Sequence, residues 1–146
     1  KILHVPYKGM APAVVSVASG EAHILYASIP PILPHVRAKR VNALGICAAK
    51  RIPSLPDFRT VSEPGLPGYE AYAWAGMIGP AGLPRDIVNR LNKEIVAILN
   101  QKDVIDRMLA DGTVPTPSSP EEFTAYMKAE LKKWGAVVKL AGIKPE

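Results

Sequence analysis

Three short apolar runs, separated by helix-sized segments rich in proline and glycine, restrict the fold of this chain more than any other feature. Ile2, Leu3 and Val5 form the first run, His23-Ile24-Leu25-Tyr26-Ala27 the second, and Val41 to Ala48 the third. Runs this short and continuous suit strands buried on both faces, as in a parallel sheet. Between the first two, Pro12 to Ser19 holds small and β-branched residues, from a proline in the first turn to Gly20 just past the end. That pattern predicts a helix over 12–19. After the second run, Ile29-Pro30-Pro31 opens a helix over 30–38, and Pro34 falls early enough that its missing N–H costs little. The order predicts right-handed βαβ units, with a parallel sheet using Leu3–Val5, His23–Ala27 and Val41–Ile46. The expected fold class is α/β.

The texture then changes. Residues 51–70 carry Pro53, Pro56, Pro64, Gly65, Pro67 and Gly68 and read as an ordered loop or a crossover between lobes. A fourth apolar run, 71–78, is expected in a different sheet or lobe. Pro84 opens an amphipathic helix to about Asn100, with Ile87, Val88, Leu91, Ile95, Ile98 and Leu99 on one side. A shorter helix, 103–110, stops at Asp111-Gly112. Ser119-Pro120-Glu121-Glu122 is a capping box that opens a last helix over 120–141, closed by Gly142. Phe123, Met127, Leu131, Trp134, Val138 and Ala141 form a stripe whose burial against a core would contribute on the order of 10 kcal/mol.

Composition narrows the function classes. A chain of 146 residues suits one domain with a real core. No apolar run approaches the roughly 18 residues of a membrane span. Cys47, the single cysteine, sits in an apolar run and reads as a structural thiol. The net charge of +5 raises an acidic partner or nucleic acid, but Arg37, Lys39, Arg40, Lys50, Arg51, Lys128, Lys132 and Lys133 are dispersed and join no nucleic-acid motif. A standalone basic interaction domain is therefore the alternative reading, with no nucleic acid in the leading one.

Catalytic and metal patterns are missing from the sequence. His4, His23 and His35 have no second ligand three or four residues away. Ser28, Ser54, Ser118 and Ser119 lack a nucleophile-elbow frame, and Lys8-Gly9 lacks a phosphate-loop pattern. Asp57, Glu63 and Glu70 read as solvated carboxylates. The sequence points to no enzyme, no cofactor and no metal.

Two strand-to-helix junctions remain, 8–11 and 27–29. Ligands of parallel α/β sheets collect at such places, where unpaired N–H groups and a positive helix end favour anions. A tight turn made by Gly9 explains the first junction equally well on spacing alone.

At this point the chain resembles a family. "HVPYKGMAPA", "YASIPPILPHV", "VNALGICAAKRIPSLPDFRTVSEPGLPGYEAYAWAGMIGPAGLP" and the closing "GIKPE" are similar to the Bug-type solute receptors of tripartite tricarboxylate transporters, nearly collinearly from His4 to Glu146. The resemblance implies a periplasmic, two-lobed, type II-like binding-protein fold. It implies capture of a small carboxylate or similar metabolite and delivery to membrane permease subunits. Catalysis and a required cofactor are not implied. Family receptors are about twice this length, so the resemblance implies that 1–50 form most of lobe two, 51–70 the crossover, and 71–146 the returning part of lobe one. A fragment of this kind is expected to self-associate through bare helix stripes. Gly9, Met10 and Ala11 match the family's lobe-two ligand loop, and Ala27, Ser28 and Ile29 its second loop. Many relatives carry Asp-Asn where this chain has Ala27-Ser28, which points to a ligand without an amino group. Lys8 is expected to face solvent.

Overall fold

The computed structural model describes residues 2–143; Lys1 and Lys144-Pro145-Glu146, which belong to the closing motif, lie outside the described residues. Five helices occur among them: α1 (Met10–Ser19), α2 (Ile29–Arg37), α3 (Arg85–Leu99), α4 (Lys102–Ala110) and α5 (Pro120–Ala141). Each lies where the sequence grammar places a helix. Gly20 ends α1 in the left-handed region at φ 86. A glycine adopts that conformation without the Cβ penalty other residues meet. At α5 the capping box is complete: the Glu122 N–H donates to Ser119 Oγ at 3.2 Å, and the Ser119 N–H donates to Glu122 Oε2 at 2.8 Å. The Ser119 N–H and the Ser119 hydroxyl, both donating to Oε2, hold the Glu122 carboxyl below the usual carboxylate range.

The strands differ from expectation. Segments 3–5, 23–27, 41–46 and 71–78 form no ladder among the described residues, and the one paired position is a parallel bridge between Ile46 and Thr60. In that bridge the Ile46 N–H donates to the Arg59 carbonyl and the Val61 N–H to the Ile46 carbonyl, both at 2.9 Å. The reason is physical. A continuous apolar run describes a strand only when neighbours cover both its edges and its faces. Here Ile2 and Leu3 are 85% and 86% exposed, and Ile24, Tyr26 and Leu44 also face solvent. The detailed βαβ sheet is therefore absent among the described residues.

The chain divides into two compact units. The first holds the residues up to Trp74 together with Ile105–Pro115. In it α1 packs on α2. Its core is Leu33 of α2 with Ile52 and Leu55, flanked by Ile29, Ile46 and Phe58. Half of this core thus comes from the proline-rich stretch, where Ile52, Leu55 and Phe58 recur every third residue. Arg51 fastens the same stretch to Glu63, and Arg37 Nη2 donates to the Ala110 carbonyl at 3.1 Å. Gly112, at φ 77, lies so close to Ile29 that a Cβ there would overlap it.

The second unit holds Ala75–Val104 and the residues from Thr116 onward. In it α3 packs on α5. Asn92 Nδ2 donates to the Ser118 carbonyl at 2.8 Å, Arg85 pairs with Glu121, and the Phe123 ring sits directly over Gly76. The expected burial of the α5 stripe does not occur. No residue of α5 or α3 is buried, and Leu131, Trp134, Val138 and Leu140 are exposed. Two helices packed on each other cover one strip of each, and the stripe on α5 is wider than α3 can cover.

Candidate functional site

The turn before α1 is tight. The Gly9 N–H donates to the Tyr7 carbonyl at 2.9 Å, and Gly9 caps the helix at φ 101, ψ 177. Open space surrounds the position a Cβ would take at Gly9, so the backbone angle, and not crowding, calls for glycine here. Gly9 supplies no side-chain cap, and Pro12 has no N–H. The uncapped donors at the positive end of α1 are consequently the N–H groups of Met10 and Ala11. Lys8, beside them, is exposed.

At α2 the helix end is built differently. Ser28 is the N-cap, with φ −64 and ψ 149, and its hydroxyl makes no capping bond. Pro30 and Pro31 occupy the first turn and remove two of the donors a helix end normally offers. The Ser28 and Ile29 N–H groups and the Ser28 hydroxyl remain to face an anion. The two junctions therefore keep two bare N–H groups each, and α2 adds a hydroxyl.

An open cavity of about 450 Å³ adjoins the first junction, lined by His4, Val5, Pro6, Tyr7, Gly9, Met10, Ala13 and Leu25. Gly9 and Met10 come together in it. Ala11 stands next to them in α1 without lining it, and half-buried Ala27 and Ser28 line neither this cavity nor the smaller one. Ile29 turns instead into an apolar cleft of about 50 Å³ beneath α2, with Leu33, Ile46, Leu55 and Phe58. Tyr7 and Ser16 are the residues the sequence reading missed: their hydroxyls share a hydrogen bond across the base of the turn. No pattern in the sequence announces that pair, since they lie nine residues apart on different elements.

Glu63 and Tyr69 have structural partners, while His35 Nδ1 and Ser54 Oγ are buried with no hydrogen-bond partner among the described residues. Glu63 accepts from Arg51 Nε at 2.8 Å and from the Thr60 N–H at 3.1 Å. Held chiefly by the Arg51 bonds, its carboxyl is pushed down from 4.5 to about 2. The Tyr69 hydroxyl is pushed up, first by burial and then by the neighbouring Cys47 thiol. Cys47 itself is half-buried, less enclosed than its apolar run suggests. Among the described residues no three His, Cys, Asp or Glu side chains gather as metal ligands. No helix among them is long and apolar enough to cross a membrane.

Comparison with known proteins extends this geometry. Residues 1–143 match the sequence profile of the tripartite tricarboxylate transporter family receptor. A UPF0065 protein in the tcbD-tcbE intergenic region of Pseudomonas sp. (strain P51) is 35% identical over 94% of this chain and 41% of its own length. Protein BugT of Bordetella pertussis is 31% identical over 96% of this chain and 43% of its own. Among solved structures, R. palustris Rpa4515 with adipate superposes with a TM-score of 0.90 at 34% identity, over 97% of this chain and 48% of that one. The periplasmic binding protein BugD superposes with a TM-score of 0.86 at 29% identity, over 100% of this chain and 50% of that one. The chain thus spans half or less of each of these relatives.

Proposed function

The chain belongs to the tripartite tricarboxylate transporter receptor family, and from that membership we propose that it forms part of a periplasmic receptor for a small organic carboxylate. The receptor hands its ligand to the membrane subunits of the transporter and performs no catalysis. One observation carries this reading: the family match over residues 1–143 includes a helix end, α1, that holds two uncapped N–H groups beside an open cavity. Main-chain amides at a positive helix end hold a carboxylate without a charged side chain. Gly9, Met10 and Ala11 are its main ligand loop. The second loop, Ala27, Ser28 and Ile29, contributes the Ser28 and Ile29 N–H groups and one hydroxyl. Adipate in the related Rpa4515 structure supports a carboxylate as the ligand class. With no acidic residue at Ala27-Ser28, the ligand lacks an amino group.

In this reading 1–50 form most of lobe two, with apolar runs that join a parallel βαβ sheet once the rest of the receptor supplies paired neighbours, 51–70 lead across, and 71–146 belong to lobe one. The passage of the chain from the first compact unit to the second after Trp74 supports a boundary near 71, while 51–70 and Ile105–Pro115 group with the first unit. The exposed apolar residues of α5 support self-association of the 146-residue chain on its own.

A thermal-shift panel of mono-, di- and tricarboxylates on the full-length receptor tests the reading, because a ligand that binds only the folded state raises its melting temperature. At least one carboxylate without an amine must raise it. A response confined to amino acids, or none across the panel, overturns the proposal.

A further inference from the structure

Ser16 joins both ends of α1. At 2% exposure it is among the most buried polar residues described. Its hydroxyl shares a hydrogen bond with that of Tyr7, whose carbonyl accepts from Gly9 and so closes the turn before the helix. Its carbonyl, meanwhile, accepts from the Glu21 N–H at 3.0 Å, the Ala22 N–H at 3.2 Å and Ser19 Oγ at 3.1 Å. Those bonds fix the exit from the helix, from which the chain runs through 23–26 to Ala27 and Ser28. Tyr7 and Leu25, on either side of Ser16 in the chain, both line the 450 Å³ cavity. One buried residue therefore holds the turn that carries Met10 and Ala11 with its side chain, and the start of the run that carries Ser28 with its main-chain carbonyl.

We propose that Ser16 is a positioning residue for the carboxylate site, acting through Tyr7 on the Gly9 turn and through its own carbonyl on the segment leading to Ser28. The inference rests on the carboxylate-receptor reading above. An amide cradle binds well only if its N–H groups are held in place before the anion arrives, since each bond formed must otherwise offset the loss of backbone freedom. Gly9, at φ 101 and with no side chain to pack, cannot hold the turn by itself. The Tyr7–Ser16 bond supplies that restraint from the buried Ser16 to a tyrosine that itself lines the cavity.

A double-mutant cycle on the full-length receptor tests this, with adipate as the probe. Tyr7→Phe and Ser16→Ala each remove one hydroxyl and keep the shape of the side chain. Each is expected to weaken adipate binding roughly fivefold, the effect of one lost hydrogen bond. The double variant is expected to bind no worse than either single one, because both remove the same restraint. Dissociation constants are measured at temperatures where every variant is folded, so a purely structural role lowers the melting temperature and leaves them unchanged. Wild-type affinity in both single variants, or losses that multiply in the double one, overturns the inference. If those variants keep affinity while Gly9→Val loses it, the positioning role fails and the carboxylate site stands. If the wild type binds no carboxylate, both fall.

Discussion

Arg51 and Glu63, twelve residues apart in a proline-rich stretch, meet side by side: Arg51 Nε lies 2.8 Å from Glu63 Oε1 and Arg51 Nη2 2.5 Å from Glu63 Oε2. The paired geometry matches the fork of a guanidinium to the two oxygens of a carboxylate. A third bond, from Arg51 Nη1 to the Pro56 carbonyl at 3.2 Å, ties the pair to the turn that presents Leu55 to the core. The pair thus closes a loop whose own backbone bonds are single turns, from the Leu55 N–H to Ile52, the Phe58 N–H to Leu55 and the Glu63 N–H to Thr60.

The pair predicts a pH dependence. The Glu63 carboxyl, ordinarily at 4.5, is held at about 2, so the folded state binds its proton less tightly than the unfolded chain does. Its stabilisation is fully present above pH 4.5 and is lost as pH falls toward about 2. Because both side chains are substantially exposed, the effect is small and screened by salt. Glu63→Gln is expected to melt below wild type at pH 7, with the gap narrowing between pH 4.5 and 2. Melting curves across that range check it; a constant gap contradicts the pair's role.

Three glycines should respond differently to alanine. At Gly76 the added methyl meets the Phe123 ring, and at Gly112 it meets Ile29 while the backbone stays at φ 77. Each change is expected to destabilise by about 1–3 kcal/mol. Gly135, inside α5 with nothing near its Cβ position, is expected to gain about 0.5–1 kcal/mol with alanine. Denaturant titrations of the three variants give the signs. A loss at Gly135 or a gain at Gly112 contradicts the packing described.

Removing the Ser119 cap strips α5 of a bond to its own first turn. Ser119→Ala is expected to cost about 1 kcal/mol. The helix content of the variant, followed by circular dichroism on heating, should fall earlier than that of wild type.

On its own, the 146-residue chain is expected to self-associate, since Leu131, Leu140 and Ile143 on and just beyond α5 remain exposed, Leu140 at 91%. Light scattering at high micromolar concentration is the check. A clean monomer contradicts the expectation.

Much of this architecture can be read locally. Caps, prolines and glycines act within one turn of the chain, so Gly20, Ser119 and Gly142 announce their helix ends directly. Strands are decided by neighbours far away in sequence, and the apolar runs at 3–5, 23–27 and 41–46 carry no information about which segments pair with them. The core had a local signal that was overshadowed: Ile52, Leu55 and Phe58 recur among prolines, and the prolines suggested a crossover. In the same way Pro30 and Pro31 limit α2 to the Ser28 and Ile29 N–H groups, which a strand-to-helix junction alone does not reveal. Gly9 was legible as a special turn, while its restraint by Tyr7 and Ser16 was not, because it depends on a contact between an irregular segment and a buried helix face.

The proposed function turns most directly on what holds the carboxylate. Titration calorimetry of the full-length receptor with adipate, comparing wild type, Lys8→Ala and Gly9→Val, measures it. Lys8 is exposed and does not anchor the ligand in the proposed amide cradle, so Lys8→Ala should weaken binding by less than about tenfold, within the range of a single charge-assisted bond. Gly9→Val puts a branched side chain at φ 101 and should abolish binding by moving the Met10 and Ala11 N–H groups out of place. If Lys8→Ala loses binding and Gly9→Val keeps it, the amides of α1 do not hold the ligand.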